Sequence, residues 1–154
     1  MERKNLSVEE IVQQYKGEVN RLVRYIPWLE TKKQNHEQAY YTETDTEEKT
    51  LPVPVYDSTL LQLIKEIRNS KYLNKNYSYV YSKYRITSAK DEKKVIAQIG
   101  IEDIDHLYAI LSRYVIKGMT KGIVWTEGVQ EGIYLQVILK MKELIEFREG
   151  LLMS

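Results

Sequence analysis

Arg113-Tyr-Val-Ile-Lys-Gly118-Met-Thr-Lys-Gly122-Ile-Val-Trp125-Thr-Glu-Gly128-Val-Gln-Glu-Gly132-Ile-Tyr-Leu135 is the stretch that decides the fold. One helical pattern breaks off at Gly118 and another begins beyond Gly122. Four of the chain's seven glycines fall within it, and glycine serves left-handed backbone, helix ends and close packing. They mark architecture more surely than chemistry. Upstream, Gly100 precedes Ile101, Ile104, Leu107, Tyr108, Leu111, Tyr114 and Val115, a helical stripe over 101–116. Glu102, Asp103 and Asp105 suit the positive end of its dipole. Downstream, Val129, Ile133, Val137, Met141, Leu144 and Ile145 predict one helix from about Thr126 to Phe147.

Working back toward the start, Ser7-Val-Glu-Glu10 has capping-box spacing. From Val8 an apolar stripe runs through Ile11, Val12, Tyr15, Val19, Leu22, Val23 and Ile26, and Pro27 stops it. Gly17 inside the stripe is read as a point of close approach. Residues 31–50 lose all periodicity and read as a long polar loop, with a short strand or turn near Tyr40–Thr42 as an alternative. Pro52 and Pro54 make 51–56 an extended connector. Asp57 or Ser58 then caps a helix carrying Leu60, Leu61, Ile64 and Ile67. Tyr77, Tyr79 and Tyr81 alternate like a strand, yet Tyr77, Val80, Tyr81 and Tyr84 sit at helical spacing, and the helical surroundings favour a short helix. A minor helical turn follows near 91–98. The expectation is an all-α, single-domain bundle of about five helices spanning 1–154, with a long polar loop after the first.

Length and composition narrow the classes. At 154 residues a chain buries about 68–70% of its unfolded surface, enough for a core without staples. Lysine and arginine number 23 against 22 acids, so no global charge bias points to a polyanion. The absence of cysteine excludes disulfides, thiolate metal sites and cysteine nucleophiles. No apolar run approaches the roughly 18–20 residues that span a bilayer, and the opening Met1-Glu-Arg-Lys-Asn lacks a signal core. A cytoplasmic protein without a membrane partner is expected.

Three stretches stand together: Tyr25-Ile26-Pro27-Trp28-Leu29, Pro54-Val-Tyr-Asp57, and Gly122…Gly132-Ile-Tyr-Leu…Leu139-Lys-Met-Lys-Glu-Leu144. On these the chain resembles a small family of bacterial proteins of unknown function. The resemblance implies a shared fold and carries no catalytic residues with it. Where that family has a basic–aromatic pair before the loop glycine, this chain reads Met119-Thr120-Lys121.

Chemistry in the sequence is sparse. The two histidines are His36, in the polar segment, and His106, three residues after Asp103. Asp103 and His106 share a helical face at the spacing used by di-metal helical bundles, which require two such pairs. The simpler reading is dipole-favoured acids beside a partly exposed histidine. Gly118-Met-Thr-Lys-Gly122 lacks phosphate-loop spacing, and its plainer role is a helix cap at Gly118 with a close-packed Gly128/Gly132 face. No nucleophile, base and orienter occur together, so no catalytic residue, cofactor or metal is expected.

A charge asymmetry rises above this background. Between Ile67 and Lys90 there is no acid, but there are Arg68, Lys71, Lys75, Lys83, Arg85 and Lys90, interleaved with Tyr72, Tyr77, Tyr79, Tyr81 and Tyr84. Such a face suits phosphates and stacked bases. Residues 34–48 carry Glu37, Glu43, Asp45, Glu47 and Glu48 with no lysine or arginine, and the two segments are expected to satisfy each other. The resulting expectation is a binding or protein-interaction module without catalysis, meeting a protein partner or a second copy of itself. The rival is a nucleic-acid accessory using Arg68, Lys71, Lys75, Tyr77, Tyr79, Tyr81, Lys83, Tyr84 and Arg85, and an enzyme of unidentified class stands third. No nucleic-acid binding is expected at physiological salt.

Overall fold

The computed structural model describes residues 7–34, 41–44 and 53–153. Eight α-helices occur among them: α1 (Val8–Val23), α2 (Ile26–Gln34), α3 (Ser58–Arg68), α4 (Tyr77–Tyr84), α5 (Ala89–Gln98), α6 (Ile104–Gly118), α7 (Ile123–Gln130) and α8 (Ile133–Met153). A single 3-10 turn, Ile101–Asp103, leads into α6. Two short strands, β1 (Tyr41–Thr44) and β2 (Val53–Tyr56), pair antiparallel with Tyr41 opposite Tyr56. The expectation of about five helices is therefore corrected, and each extra helix has a local cause.

Pro27 starts a helix rather than simply ending one. Lacking an N–H, it cannot bond the Val23 carbonyl; the chain turns at Arg24–Tyr25, with Tyr25 N–H donating to Leu22, and α2 restarts with proline in its first turn. The expected 126–147 helix is two helices, divided where Gly132 takes φ +73°. Gly132 N–H donates to Val129 O at 3.0 Å, closing α7, and Gln136 N–H donates to Gly132 O to open α8. The minor turn near 91–98 is a full ten-residue helix, capped by Ser88, whose hydroxyl accepts from Asp91 N–H. The expected 31–50 loop is shortened at its start by α2 and interrupted by β1, the short strand given as the alternative there.

Several local expectations hold. Ser7 and Glu10 form both halves of the capping box, each at 3.2 Å. Asp57 caps α3 through Thr59 N–H at 2.7 Å. Within α3, however, Leu63 joins the core and Leu61 is exposed.

Helix α6 is the axis of the bundle. Eleven of its 15 residues are buried, as expected of a helix covered on most sides. It packs against α3, α4, α7 and α8, while α8 in turn packs on α1, α2 and α5. One core runs through these helices, with Leu60, Leu107, Leu111, Ile133, Ile138 and Met141 fully buried.

The glycine roles are redistributed. A Cβ on Gly132 or Gly17 would meet nothing within 4 Å, so neither serves close packing. Gly118 is not left-handed; a Cβ there would lie 1.9 Å from Trp125 Cδ1. Gly128 does face a close neighbour, the Tyr134 ring, at 2.3 Å.

Candidate functional site

Helix α4 lies antiparallel along α6. Asn74 N–H donates to Ser112 Oγ at 2.9 Å near one end, and the Tyr84 hydroxyl meets His106 Nδ1 at 2.7 Å near the other. This pairing turns Val80, Tyr81 and Tyr84 inward and leaves Lys75, Ser78, Tyr79, Ser82, Lys83 and Arg85 exposed. Tyr79 is 64% exposed. The helix stops at Arg85, a non-glycine residue at φ 56°, where Ile86 N–H reaches back to Tyr81 O at 2.9 Å.

The candidate basic–aromatic set thus divides. Arg68, Lys71, Lys75, Lys83, Arg85 and Lys90 are all exposed, and among the described residues the ion pairs are formed by other groups. Lys71 and Lys83 rest 5.2 and 5.7 Å from the ring centroids of Tyr72 and Tyr84. The tyrosines are not a row of free rings. Tyr72 donates to Gln14 O and stacks 4.2 Å from Tyr15; Tyr77 is half-buried, edge-on to Tyr81 at 6.2 Å. Tyr79 alone is a largely free platform. The expected neutralisation by Glu37, Glu43, Asp45, Glu47 and Glu48 lies outside the residues whose side chains are described.

Behind α4 sits a group missed at the sequence level. Glu92 is 2% exposed and accepts hydrogen bonds from the hydroxyls of Tyr81 and Tyr114, the latter at 2.6 Å. Arg113 Nη1 stands 3.7 Å from the carboxylate, its guanidinium 5.5 and 5.1 Å from the Tyr81 and Tyr114 rings. Burial first, then the Glu92 charge and hydrogen bonds, push both phenols far above the ordinary tyrosine range, so both stay neutral donors. The carboxylate is fully engaged, which makes this a lock between α4, α5 and α6. A signal was available: Glu92 lies in register with Val95, Ile96 and Ile99 on the apolar stripe of α5.

The acid–histidine pair also differs from expectation. His106 is buried, not partly exposed, at 6%. Asp103, Asp105 and His106 offer ligand atoms within 4.8 Å of one another, yet Nδ1 of the imidazole is engaged by Tyr84, while Nε2 lies 3.9 Å from Asp105 Oδ2. All three come from one turn at the positive end of α6, where carboxylates are favoured and a cation is not. No fourth protein ligand joins them among the described residues, short of the closed four-ligand set of a structural zinc site. His36 lies outside the described residues. At the glycine turn, the Tyr56 hydroxyl lies against Gly122, 1.9 Å from where a Cβ would be, covering the start of α7 that a phosphate would need.

No family model, curated protein or solved structure matches the chain. Among the described residues, no helix is long and apolar enough to cross a membrane.

Proposed function

We propose that the protein is a binding module whose face is the outer surface of α4 with its flanking turns, and that its partner is single-stranded nucleic acid. The observation that carries this reading is Tyr79, 64% exposed, with Lys75 and Lys83 four residues to either side and Arg85 at the helix end. A free aromatic face can stack a base for about 1–3 kcal/mol, and the flanking cations meet the phosphates. Ser78 and Ser82 add hydroxyl donors on the same surface. The opposite expectation depended on an acidic segment that lies outside the described side chains.

An apolar protein partner is less well supported. Among the described side chains, the exposed large hydrophobics Leu61, Tyr79, Met119, Leu139 and Phe147 are spread over α3, α4, α8 and the α6–α7 turn, whereas docking faces concentrate such side chains. Catalysis is less well supported still, because the buried carboxylate is committed to two phenols and a guanidinium.

The test is fluorescence anisotropy with a labelled single-stranded oligonucleotide, using polyglutamate as a polyanion without bases. Tyr79→Ala is expected to weaken oligonucleotide binding by about 5- to 100-fold, corresponding to one lost stacking contact. Polyglutamate should compete poorly. Equal competition by polyglutamate, or unchanged affinity in Tyr79→Ala, would contradict the stacking reading.

A further inference from the structure

A second surface, on the other side of α3 from the core, has the composition of a ligand site. The α1–α2 turn and the start of α2 form one wall and the polar face of α3 the other, bounding an open cleft of about 510 Å3. That volume is within the roughly 300–1,000 Å3 of small-molecule sites. Trp28, half-buried, and Tyr25, 8% exposed, give the first wall its aromatic surface. On α3, the core takes Leu60, Leu63, Ile64 and Ile67, which leaves Gln62, Lys65 and Asn69 facing the cleft.

Apart from the Arg24–Glu66 pair that also lines the cleft, its polar side chains are uncommitted. Neither the Tyr25 hydroxyl nor the side chains of Gln62, Lys65 and Asn69 hydrogen-bond to any described residue, and no buried polar side-chain atom is left unsatisfied. These atoms therefore look into the cleft or its solvent. Arg24 lines the cleft with its guanidinium largely exposed, donating to Glu66 Oε1 and to Arg21 O, each at 3.1 Å. Burial, then the Glu66 charge, raise the Tyr25 phenol above its ordinary value, so it remains a donor.

We infer that this cleft binds a mononucleotide-type ligand, a planar heteroaromatic ring bearing a phosphate. The half-buried indole of Trp28, with the Lys32 ammonium 5.8 Å from its ring centroid, supplies an aromatic face for the ring. The amides of Gln62 and Asn69 each present a donor beside an acceptor, the pairing that reads a base edge. Lys65 meets the phosphate, while Arg24 balances the Glu66 carboxylate that shares the cleft. A purely aliphatic ligand would leave the amides and Lys65 unpaired, and a bare anion would leave the aromatic wall unused. The site is separate from the α4 face and stands without it.

Calorimetric titration of the full chain with AMP, adenosine and inorganic phosphate tests the inference. AMP is expected to bind more tightly than adenosine, and adenosine more tightly than phosphate. Trp28→Leu should weaken AMP and adenosine alike by about tenfold or more, and Lys65→Gln should weaken AMP by a comparable factor with adenosine unchanged. Gln62→Ala, at an exposed position that leaves the fold intact, should weaken both. Replacing Lys75, Lys83 and Arg85 should leave AMP binding unaltered. Absence of saturable AMP binding, phosphate binding as tight as AMP, or AMP affinity indifferent to both Gln62→Ala and Lys65→Gln would overturn it.

Discussion

Replacing Gly118 with alanine sets two effects of opposite sign against each other. Gly118 is the last residue of α6, so helix propensity alone predicts that alanine stabilises by up to about 1 kcal/mol. The structure predicts the reverse. The new methyl would lie 1.9 Å from Trp125 Cδ1 and 2.1 Å from Nε1, and a ring cannot yield that distance without moving as a whole. Trp125 Nε1 donates to Val115 O at 3.0 Å, a bond worth about 0.5–1.5 kcal/mol that the displaced ring would lose. Overpacking adds about 1–3 kcal/mol. Against the propensity gain, a net loss of about 1–3 kcal/mol is expected in urea unfolding followed by circular dichroism, with a shifted tryptophan emission. Gly132 provides the contrast: a Cβ meets nothing there, but φ is +73°, so alanine should cost about 1–2 kcal/mol through backbone strain and asparagine less. A Gly118→Ala protein as stable as the parent, or more so, would refute the packing argument.

Three further outcomes follow from the same geometry. Arg85→Gly should stabilise by about 0.5–1 kcal/mol, since a left-handed residue with a side chain costs about 1–2 kcal/mol and glycine's unfolded-state entropy returns part of it; thermal unfolding measures this, and destabilisation would count against the φ of 56°. Tyr114→Phe removes a hydrogen bond to a buried carboxylate and should cost about 1.5–3 kcal/mol in denaturant unfolding, whereas a loss below about 0.5 kcal/mol would mean the Glu92 lock is not formed. Hydrogen bonds from Thr87 N–H and Oγ1 hold the Asp91 carboxyl below its ordinary value. A depressed carboxyl contributes stability above its unfolded pKa and loses it as pH falls through the folded one, so between about pH 4 and pH 2 the parent should lose stability faster than Asp91→Asn; parallel acid curves would remove Asp91 from the account.

Local signals carried most of what could be read in advance. The Ser7–Glu10 box, the Asp57 cap and the α6 stripe depend on contacts within a turn or two, which residue spacing encodes directly. The division of the last helix was hidden because Val129 and Ile133 keep helical spacing across Gly132, and periodicity does not register one positive φ. Leu61, expected on the apolar stripe, is exposed and Leu63 is buried in its place for a similar reason: both are apolar, and only the packing partners of α3 choose between them. The candidate face is half legible. Its lysines and arginines are exposed, but spacing alone does not separate the exposed Tyr79 from Tyr81 and Tyr84, which turn inward to Glu92 and His106. Those contacts span 11 and 22 residues of chain, beyond the reach of local spacing. Glu92 was missed because a carboxylate on an apolar stripe reads as solvent-facing until its two phenol donors are in place.

The salt dependence of oligonucleotide affinity tests the central claim most directly. If Lys75, Lys83 and Arg85 neutralise three phosphates, log Kd should rise with log salt at a slope of about 2, from about 0.7 per phosphate on a single strand. Replacing all three with glutamine should bring that slope close to zero and weaken binding most at low salt. A parent protein that fails to bind, or a triple variant that keeps both affinity and slope, would contradict the assignment of this face.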